Sequence, residues 1–220
     1  MHAALRPTFH RAFAVFSLCL ALLQPAISLG GALAASSALP SATNGSAELA
    51  TEWNIDQLMQ SLATAKPGRA TFVEKKYMAI LDRPVESSGE LHYTPPDRLE
   101  KRTIKPKPET MLVEGGVLTV ERGNQKHTLQ LSEYPELAGL IDSIRGTLAG
   151  DRKALERSYK LKLQGDAERW TLSLFPTDPK MATSVHLIRI AGSRDDVRRI
   201  EVIQTDGDRS LMTINRVVSQ

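Results

Sequence analysis

The chain has 220 residues, with 28 basic residues, 25 acidic residues, a net charge of +3 at pH 7 and a single cysteine. This near-balance of charge, without basic residues interleaved with aromatic ones, excludes a general attraction to nucleic acid. Cys19 falls in an N-terminal segment that we expect to be removed, so disulfides, thiolate catalysis and cysteine metal sites are excluded in the mature chain.

The first 34 residues have the pattern of a secretory signal peptide. Arg6 and Arg11 form a basic start, an apolar run occupies positions 12–23, and Ala32-Leu33-Ala34 supplies the A-x-A exit. The apolar run is shorter than the roughly 20 residues that a membrane-spanning helix needs. We therefore predict export, cleavage near Ala34 and a soluble mature protein.

A flexible leader is predicted over residues 35–50, and one folded domain over residues 51–220. Asn54 followed by Gln57 is a capping-box pattern at the start of this domain. The apolar residues that follow recur at helical spacing, which predicts a helix that continues to about Thr64.

Several successive strands are predicted after this helix. Ala70–Leu81 has the β-branched and aromatic content of a long strand. Residues 86–116 contain three alternating segments separated by prolines and glycines, and residues 117–131 form a hairpin that turns at Gly123-Asn124. A run of strands without an intervening helix favours an antiparallel sheet over a parallel α/β fold.

Helices and strands also alternate in the second half of the chain. Pro135 begins a helix with an aliphatic stripe that ends at Gly150, and Asp151 caps a short helix after it. Residues 159–218 contain five further alternating segments, which brings the prediction to about eleven strands. Because so large a sheet must curl, and the helix stripe must cover an apolar surface, we predict an α+β fold in which helices cap a strongly curved sheet or incomplete β-barrel.

No catalytic or metal-binding pattern is apparent in the chain. His92, His127 and His186 are the histidines that remain after signal removal, and none is at metal-ligand spacing from another. The nucleophile-elbow and phosphate-loop patterns are also absent from the sequence. We therefore expect a protein that is not an enzyme and that has neither a cofactor nor a metal.

The segments SSGELHY, over residues 87–93, and PPDRLEK, over residues 95–101, resemble the LolA-related family of periplasmic lipoprotein carriers. The resemblance extends from Trp53 to the C-terminus. It implies the incomplete barrel described above and a carrier that shields the acyl chains of a lipoprotein or lipid and transfers it toward the outer membrane. It further implies a monomer that meets a membrane-bound donor and acceptor.

One position departs from the family pattern. LolA carriers have an arginine before the proline that ends the second strand, where it holds a lid closed, whereas this chain has Pro95 before Pro96. The role of that arginine is therefore not transferred, and the cargo is either a lipoprotein or another lipid. The alternative function is a lipid- or peptide-sensing module of the same fold without transport.

The predicted acyl-binding cavity is lined by apolar residues from the sheet and from the long second helix. A filled core is the alternative interpretation of the same residues. The predicted lining residues are Phe72, Met78, Leu91, Tyr93, Met111, Val113, Leu118, Leu129, Leu140, Ile144, Trp170 and Leu172.

A basic cluster lies in the third predicted strand and consists of Arg98, Lys101, Arg102 and Lys105. One interpretation is that these residues protect a sheet edge from aggregation. The other is that they contact lipid headgroups or an acidic partner.

Overall fold

The computed structural model describes residues 53–64 and 67–217. The predicted signal peptide, its cleavage point and the leader lie outside these residues and stay predictions. Within the described ranges, every helix is too short or too polar to cross a membrane.

The domain is built on one antiparallel sheet of 11 strands. In chain order the strands are β1 Gly68–Tyr77, β2 Val85–Thr94, β3 Arg98–Lys105, β4 Glu109–Glu114, β5 Val117–Arg122, β6 Gln125–Gln130, β7 Tyr159–Gly165, β8 Trp170–Pro176, β9 Val185–Ser193, β10 Asp196–Gln204 and β11 Arg209–Arg216. Their spatial order is β6-β5-β4-β3-β2-β1-β11-β10-β9-β8-β7. The sheet does not close into a barrel, since β6 and β7 are its two edges, and the predicted fold class is confirmed.

Within residues 53–64 and 67–217, four α-helices and one 3-10 helix accompany the sheet: α1 Ile55–Ala63, the 3-10 helix Leu131–Glu133, α2 Pro135–Leu148, α3 Arg152–Glu156 and α4 Pro179–Ala182. The segment that contains α2 and α3 joins β6 to β7, and so connects the two edges of the open sheet. The sequence analysis predicted α1, α2 and α3 but missed α4, a single turn that begins after Asp178.

The predicted cap of α1 is present. The Asn54 side chain accepts a hydrogen bond from the Gln57 backbone N–H, and the Gln57 side chain accepts one from the Asn54 N–H, at 3.1 and 3.0 Å. These bonds satisfy backbone donors that the first helical turn leaves unpaired. The apolar side of α1 is buried at Leu58, Met59 and Leu62.

Strand β1 is shorter than predicted. It ends at Tyr77 rather than Leu81, and the backbone N–H of Leu81 donates to the Met78 carbonyl at 2.9 Å in a turn. The Ala79 N–H donates to the Asp208 carboxylate at 2.9 Å, in the turn before β11. Ile80, expected to be on the same strand face as Phe72, is 88% exposed.

The two faces of the sheet differ in burial. One face carries Phe72, Met111, Leu118 and Leu172, all of which are buried, and we call it the inner face. Strand register fixes the membership of this face, because directly paired residues of neighbouring strands point to the same side. The opposite side, called the outer face, carries mostly charged and exposed residues.

Helix α2 is hydrogen-bonded to the edge strand β7. The Tyr159 hydroxyl of β7 donates to the Gly139 carbonyl at 2.9 Å. Burial raises the pKa of Tyr93 in β2, with a further increase from Asp97 that the charge of Arg145 in α2 opposes.

Candidate ligand-binding face

The inner face has two regions that differ in solvent exposure. Across β8 and β9 the aliphatic side chains are fully buried, as Leu172, Leu174, Ile188 and Ile190 are each at most 1% exposed. Across β10, β11, β1, β2 and β3, Phe72 and Val197 are buried, while eight apolar side chains of the inner face are only half-buried. We call these the half-exposed strip, which consists of Ile200, Val202, Met212, Ile214, Ala70, Leu91, Tyr93 and Leu99.

The predicted lining residues fall into two groups. Buried in the domain are Phe72, Met111, Val113, Leu118, Leu140, Trp170 and Leu172. Half-buried are Met78, Leu91, Tyr93, Leu129 and Ile144.

Two predicted lining residues have surroundings that the sequence did not suggest. Trp170 is held in the core, since its indole Nε1 donates to the Arg194 carbonyl at 3.0 Å and its ring packs beside Gly192. Met78 lies in the turn after β1 and not on a strand.

The sequence analysis missed the part of the half-exposed strip that comes from β10 and β11. Met212 is paired with Ile200 on one side and with Glu74 on the other, and Ile214 is paired with Phe72. Alternation in these strands indicated which residues share a face. The pairing of β11 with β1, far away in sequence, is what brings them beside the predicted lining.

A buried ion pair interrupts the apolar inner face. The Lys101 ammonium lies 2.5 Å from the Glu74 carboxylate, and the two side chains are 16% and 4% exposed. The Ser210 and Ser87 hydroxyls donate to the same carboxylate at 2.6 and 3.4 Å. Lys101 also lies 4.9 Å from the centre of the Phe72 ring. The carboxylate is therefore supplied with donors from three strands.

A second lysine belongs to this group. Lys76 lies on the inner face two residues after Glu74, paired with Val85 and Ser210. Burial by itself would raise the pKa of Glu74. The charges of Lys101 and Lys76, together with the hydrogen bonds from Lys101 and Ser210, outweigh the effect of burial, so the pKa of Glu74 is lowered. Burial lowers the pKa of Lys76, Glu74 opposes that change, and Lys101 adds to it. We call Glu74, Lys76 and Lys101 the inner ion cluster.

The basic cluster of β3 is divided between the two faces. Arg98 and Arg102 lie on the outer face and contact Glu100, while Lys101 points to the inner face. The interpretation as edge protection is wrong, because β3 is paired with β2 on one side and β4 on the other. The prediction that Lys101 belongs to an exposed basic surface is corrected by its inward position.

The part of the chain that the structure describes contains no group of three or more His, Cys, Asp or Glu side chains placed to hold a metal ion.

These observations define the class of fold: an open antiparallel sheet with helices at its edges and an apolar inner face. The family described as outer membrane lipoprotein carrier protein LolA-like matches residues 47–215. The chain belongs to this family, and the resemblance noted in the sequence is confirmed. A comparison with curated protein sequences gives no match.

Solved structures of similar fold include a LolA superfamily protein from Nitrosomonas europaea, 10% identical, with 74% of this chain and 93% of that chain covered and a TM-score of 0.42. LprF from Mycobacterium bovis is 15% identical, with 76% and 94% covered and a TM-score of 0.36. A putative outer membrane lipoprotein-sorting protein domain from Vibrio parahaemolyticus is 10% identical, with 76% and 92% covered and a TM-score of 0.39.

Proposed function

We propose that this protein is a periplasmic carrier that shields acyl chains of a lipoprotein or lipid on its inner face and delivers them toward the outer membrane. The observation that supports this function is the half-exposed strip. Its side chains share the inner face with a buried core, yet they keep contact with solvent. Family membership supports the same class of cargo.

The energetics of acyl chains explain why such a surface is useful. Burial of each CH₂ group contributes about 0.8 kcal/mol, so one long chain is held in a membrane by roughly 10 kcal/mol. Spontaneous release into water is correspondingly slow. An apolar face of similar affinity lowers that barrier without an energy source in the protein itself, provided that it holds the chain less tightly than the final acceptor does.

Exposed apolar surface also has a cost in the empty protein. Each Å² of apolar surface covered contributes about 25 cal/mol, so a packed core would be expected to cover the strip. The side chains in β10 and β11 remain partly accessible even though α2 connects the two sheet edges. An acyl chain that lies along the strip would cover them.

Replacement of Ile200 by Glu is expected to lower the retention of lipid about tenfold or more, because a carboxylate on the acyl path costs burial energy only when a chain covers it. Since Ile200 is half-buried, the melting temperature of the lipid-free variant should stay near that of the wild type. Native mass spectrometry of protein purified from the periplasm measures the retained lipid, and calorimetry measures the melting temperature.

Ile104→Glu is the matched control, since Ile104 is an isoleucine on the outer face with 50% exposure, and it should change neither quantity. Leu91 is less suitable, because a carboxylate there would lie beside Lys101. Unfolding of Ile200→Glu would show that the strip is packed, and would contradict the carrier proposal. Lipid retention without transfer between vesicles would instead favour the lipid-sensing alternative.

The exposed part of the basic cluster is proposed to contact lipid headgroups or an acidic partner. Replacement of Arg98, Arg102 and Lys105 by Gln is expected to slow transfer to anionic vesicles several-fold at low salt and to have little effect at high salt, because exposed charges act through screened fields. The control replaces three exposed lysines of β6 and β7, Lys126, Lys160 and Lys162, by Gln, which removes the same net charge from another part of the sheet. Equal salt profiles of the triple variant and the wild type would contradict this role.

A further inference from the structure

Four consecutive apolar residues lie near the surface immediately after β1. Residues 78–81, Met-Ala-Ile-Leu, form a turn, which we call the apolar turn, and none of them is buried. Ile80 is 88% exposed, whereas the other exposed large apolar residues of the described chain are 42–50% exposed. Single exposed apolar residues are common on protein surfaces, but a run of three or four is unfavourable unless it has a function. The apolar turn is therefore a candidate contact site.

Hydrogen bonds hold the apolar turn in this exposed conformation. The Leu81 backbone N–H donates to the Met78 carbonyl at 2.9 Å, and the Ala79 N–H donates to the Asp208 carboxylate, also at 2.9 Å. Asp208 belongs to the connection between β10 and β11, so the two turns are joined. Bonds on both sides of Ile80 thus fix the backbone that presents its side chain to solvent.

The apolar turn lies at the end of the sheet that the half-exposed strip reaches. Lys76 of the inner ion cluster is paired with Ser210 of β11, which is paired with Val202 of β10, a member of the strip. Met78 follows Lys76 by two residues, so the turn begins about 7 Å beyond that row along the strand direction. The apolar path on the inner face and the apolar turn are therefore neighbours at one end of the domain.

Two basic residues lie on the side of the apolar turn toward β2 and β3. They are Arg83, in the connection to β2, and Lys105, the last residue of β3, and both are exposed. Asp82, also exposed, adds one negative charge to this side. On the side toward β11, the Asp206 and Asp208 carboxylates accept hydrogen bonds from backbone N–H groups. The side toward β3 therefore suits anionic lipid headgroups.

A lipid bilayer is the partner that fits these features. Ile80 protrudes and does not line a groove, so a partner must surround it, which the acyl region of a bilayer does without a preformed pocket. Transfer of its side chain out of water is favourable, as is the approach of each basic residue to an anionic surface. A bilayer contact at this end also brings the half-exposed strip next to the acyl chains that it is proposed to receive.

We propose that the apolar turn inserts into the surface of a lipid bilayer, with Ile80 among the acyl chains and Arg83 and Lys105 among the headgroups. The exposed apolar run carries this inference independently of the cargo. It goes beyond the proposed function, because it assigns the element that enters the membrane and places the Val202 end of the half-exposed strip at the membrane surface.

Flotation of the delipidated protein with vesicles of phosphatidylcholine mixed with phosphatidylglycerol tests the insertion. Ile80→Ser is expected to weaken binding about tenfold, because one aliphatic side chain no longer leaves water. Val217→Ser is the matched control, since Val217 is 50% exposed and its N–H donates to the Arg69 carbonyl at the opposite end of β1. This control should bind as the wild type does. Both variants should melt at the wild-type temperature, because neither breaks a buried contact.

A fluorophore at the same position measures insertion directly. The chain has one cysteine, so Ile80→Cys in a Cys19→Ser background carries a single thiol for an environment-sensitive dye. The emission of the dye at position 80 should shift to the blue and increase when vesicles are added, because the dye enters the acyl region. A dye on Val217→Cys in the same background should not respond.

The outcomes separate this inference from the proposed function. Absence of vesicle binding by the wild type, equal binding by Ile80→Ser, or a dye at position 80 that stays in water would overturn the insertion. Lipid retention, measured with Ile200→Glu, would then still decide the carrier function. Vesicle binding that depends on Ile80, in a protein that retains no lipid, would support the insertion and contradict the carrier. Equal losses in Ile80→Ser and Val217→Ser would assign binding to general surface apolarity and overturn the insertion as well.

Discussion

Replacement of Lys101 by Met is expected to lower the free energy of unfolding by about 3 kcal/mol. The variant leaves the carboxylate of Glu74, which is 4% exposed, without the ammonium that lies 2.5 Å away. The cost should fall at the low end of the usual range of about 3–5 kcal/mol for one broken partner, because Lys76 and the Ser210 hydroxyl remain beside the carboxylate. Urea denaturation measures the change.

The double variant Glu74→Gln/Lys101→Met is the control for this prediction. It removes both charges and keeps an amide that can still bond to Ser210, so most of the lost stability should return. A double variant as unstable as Lys101→Met would show that the loss comes from the contact of the Lys101 ammonium with the Phe72 ring, and not from the uncompensated charge of Glu74.

The acid dependence of stability gives a second measurement on the same pair. Although burial opposes its charge, Lys101, Lys76 and the hydrogen bonds hold the pKa of Glu74 below the unfolded value of about 4.3. Glu74 therefore contributes stability that is fully present above that value and is lost as the pH falls through the lower folded pKa. The difference in unfolding free energy between the wild type and Glu74→Gln should narrow over this acidic window.

Replacement of Gly89 by Ala is expected to cost about 3 kcal/mol or more, or to prevent folding. A Cβ atom at Gly89 would lie 1.9 Å from the carbonyl oxygen of Arg102 and 2.9 Å from the Cα of Thr103. Both contacts are with the backbone of β3, at a register shift between Ser88 and Gly89, so β2 and β3 would have to separate. Thermal unfolding measures the loss.

Ser88→Ala is the matched control, since it changes the neighbouring residue of the same strand, which points to the outer face. Its effect on stability should stay within about 0.5 kcal/mol, as is usual for substitutions that break no buried contact. A melting temperature for Gly89→Ala equal to that for Ser88→Ala would show that the strands can move apart without cost.

Local patterns in the sequence were sufficient for most elements of the fold. Strands β3 and β5 have the predicted bounds, because alternation of side chains and flanking turn residues are encoded within a few residues. The capping box of α1 is equally local, with its partners three residues apart. The prediction that β1 continues to Leu81 was wrong: the chain turns after Tyr77, where the Leu81 N–H donates to the Met78 carbonyl and the Ala79 N–H donates to Asp208, 129 positions away in sequence.

The candidate site depended on contacts that no local pattern contains. Alternation shows that Lys101 and Arg102 point to opposite faces, but not which of them faces inward. The inward position of Lys101 is decided by its contact with Glu74, which lies 27 positions away in sequence. Glu74 also contacts Ser210, 136 positions away, and it meets both residues only through the pairing of β1 with β2 and β11.

The sequence by itself determined an antiparallel sheet with aliphatic helices, because periodicity and turn chemistry act over short distances. Its resemblance to the LolA-like family is a separate observation, which the family match over residues 47–215 confirmed. The tertiary structure decided which apolar residues are packed and which stay open, since burial depends on what the neighbouring strands and helices cover. It placed Leu172 in the core and left Ile200 half-exposed on the same face. It also turned a lysine of the basic β3 segment inward, because only the assembled sheet brings a buried carboxylate within its reach.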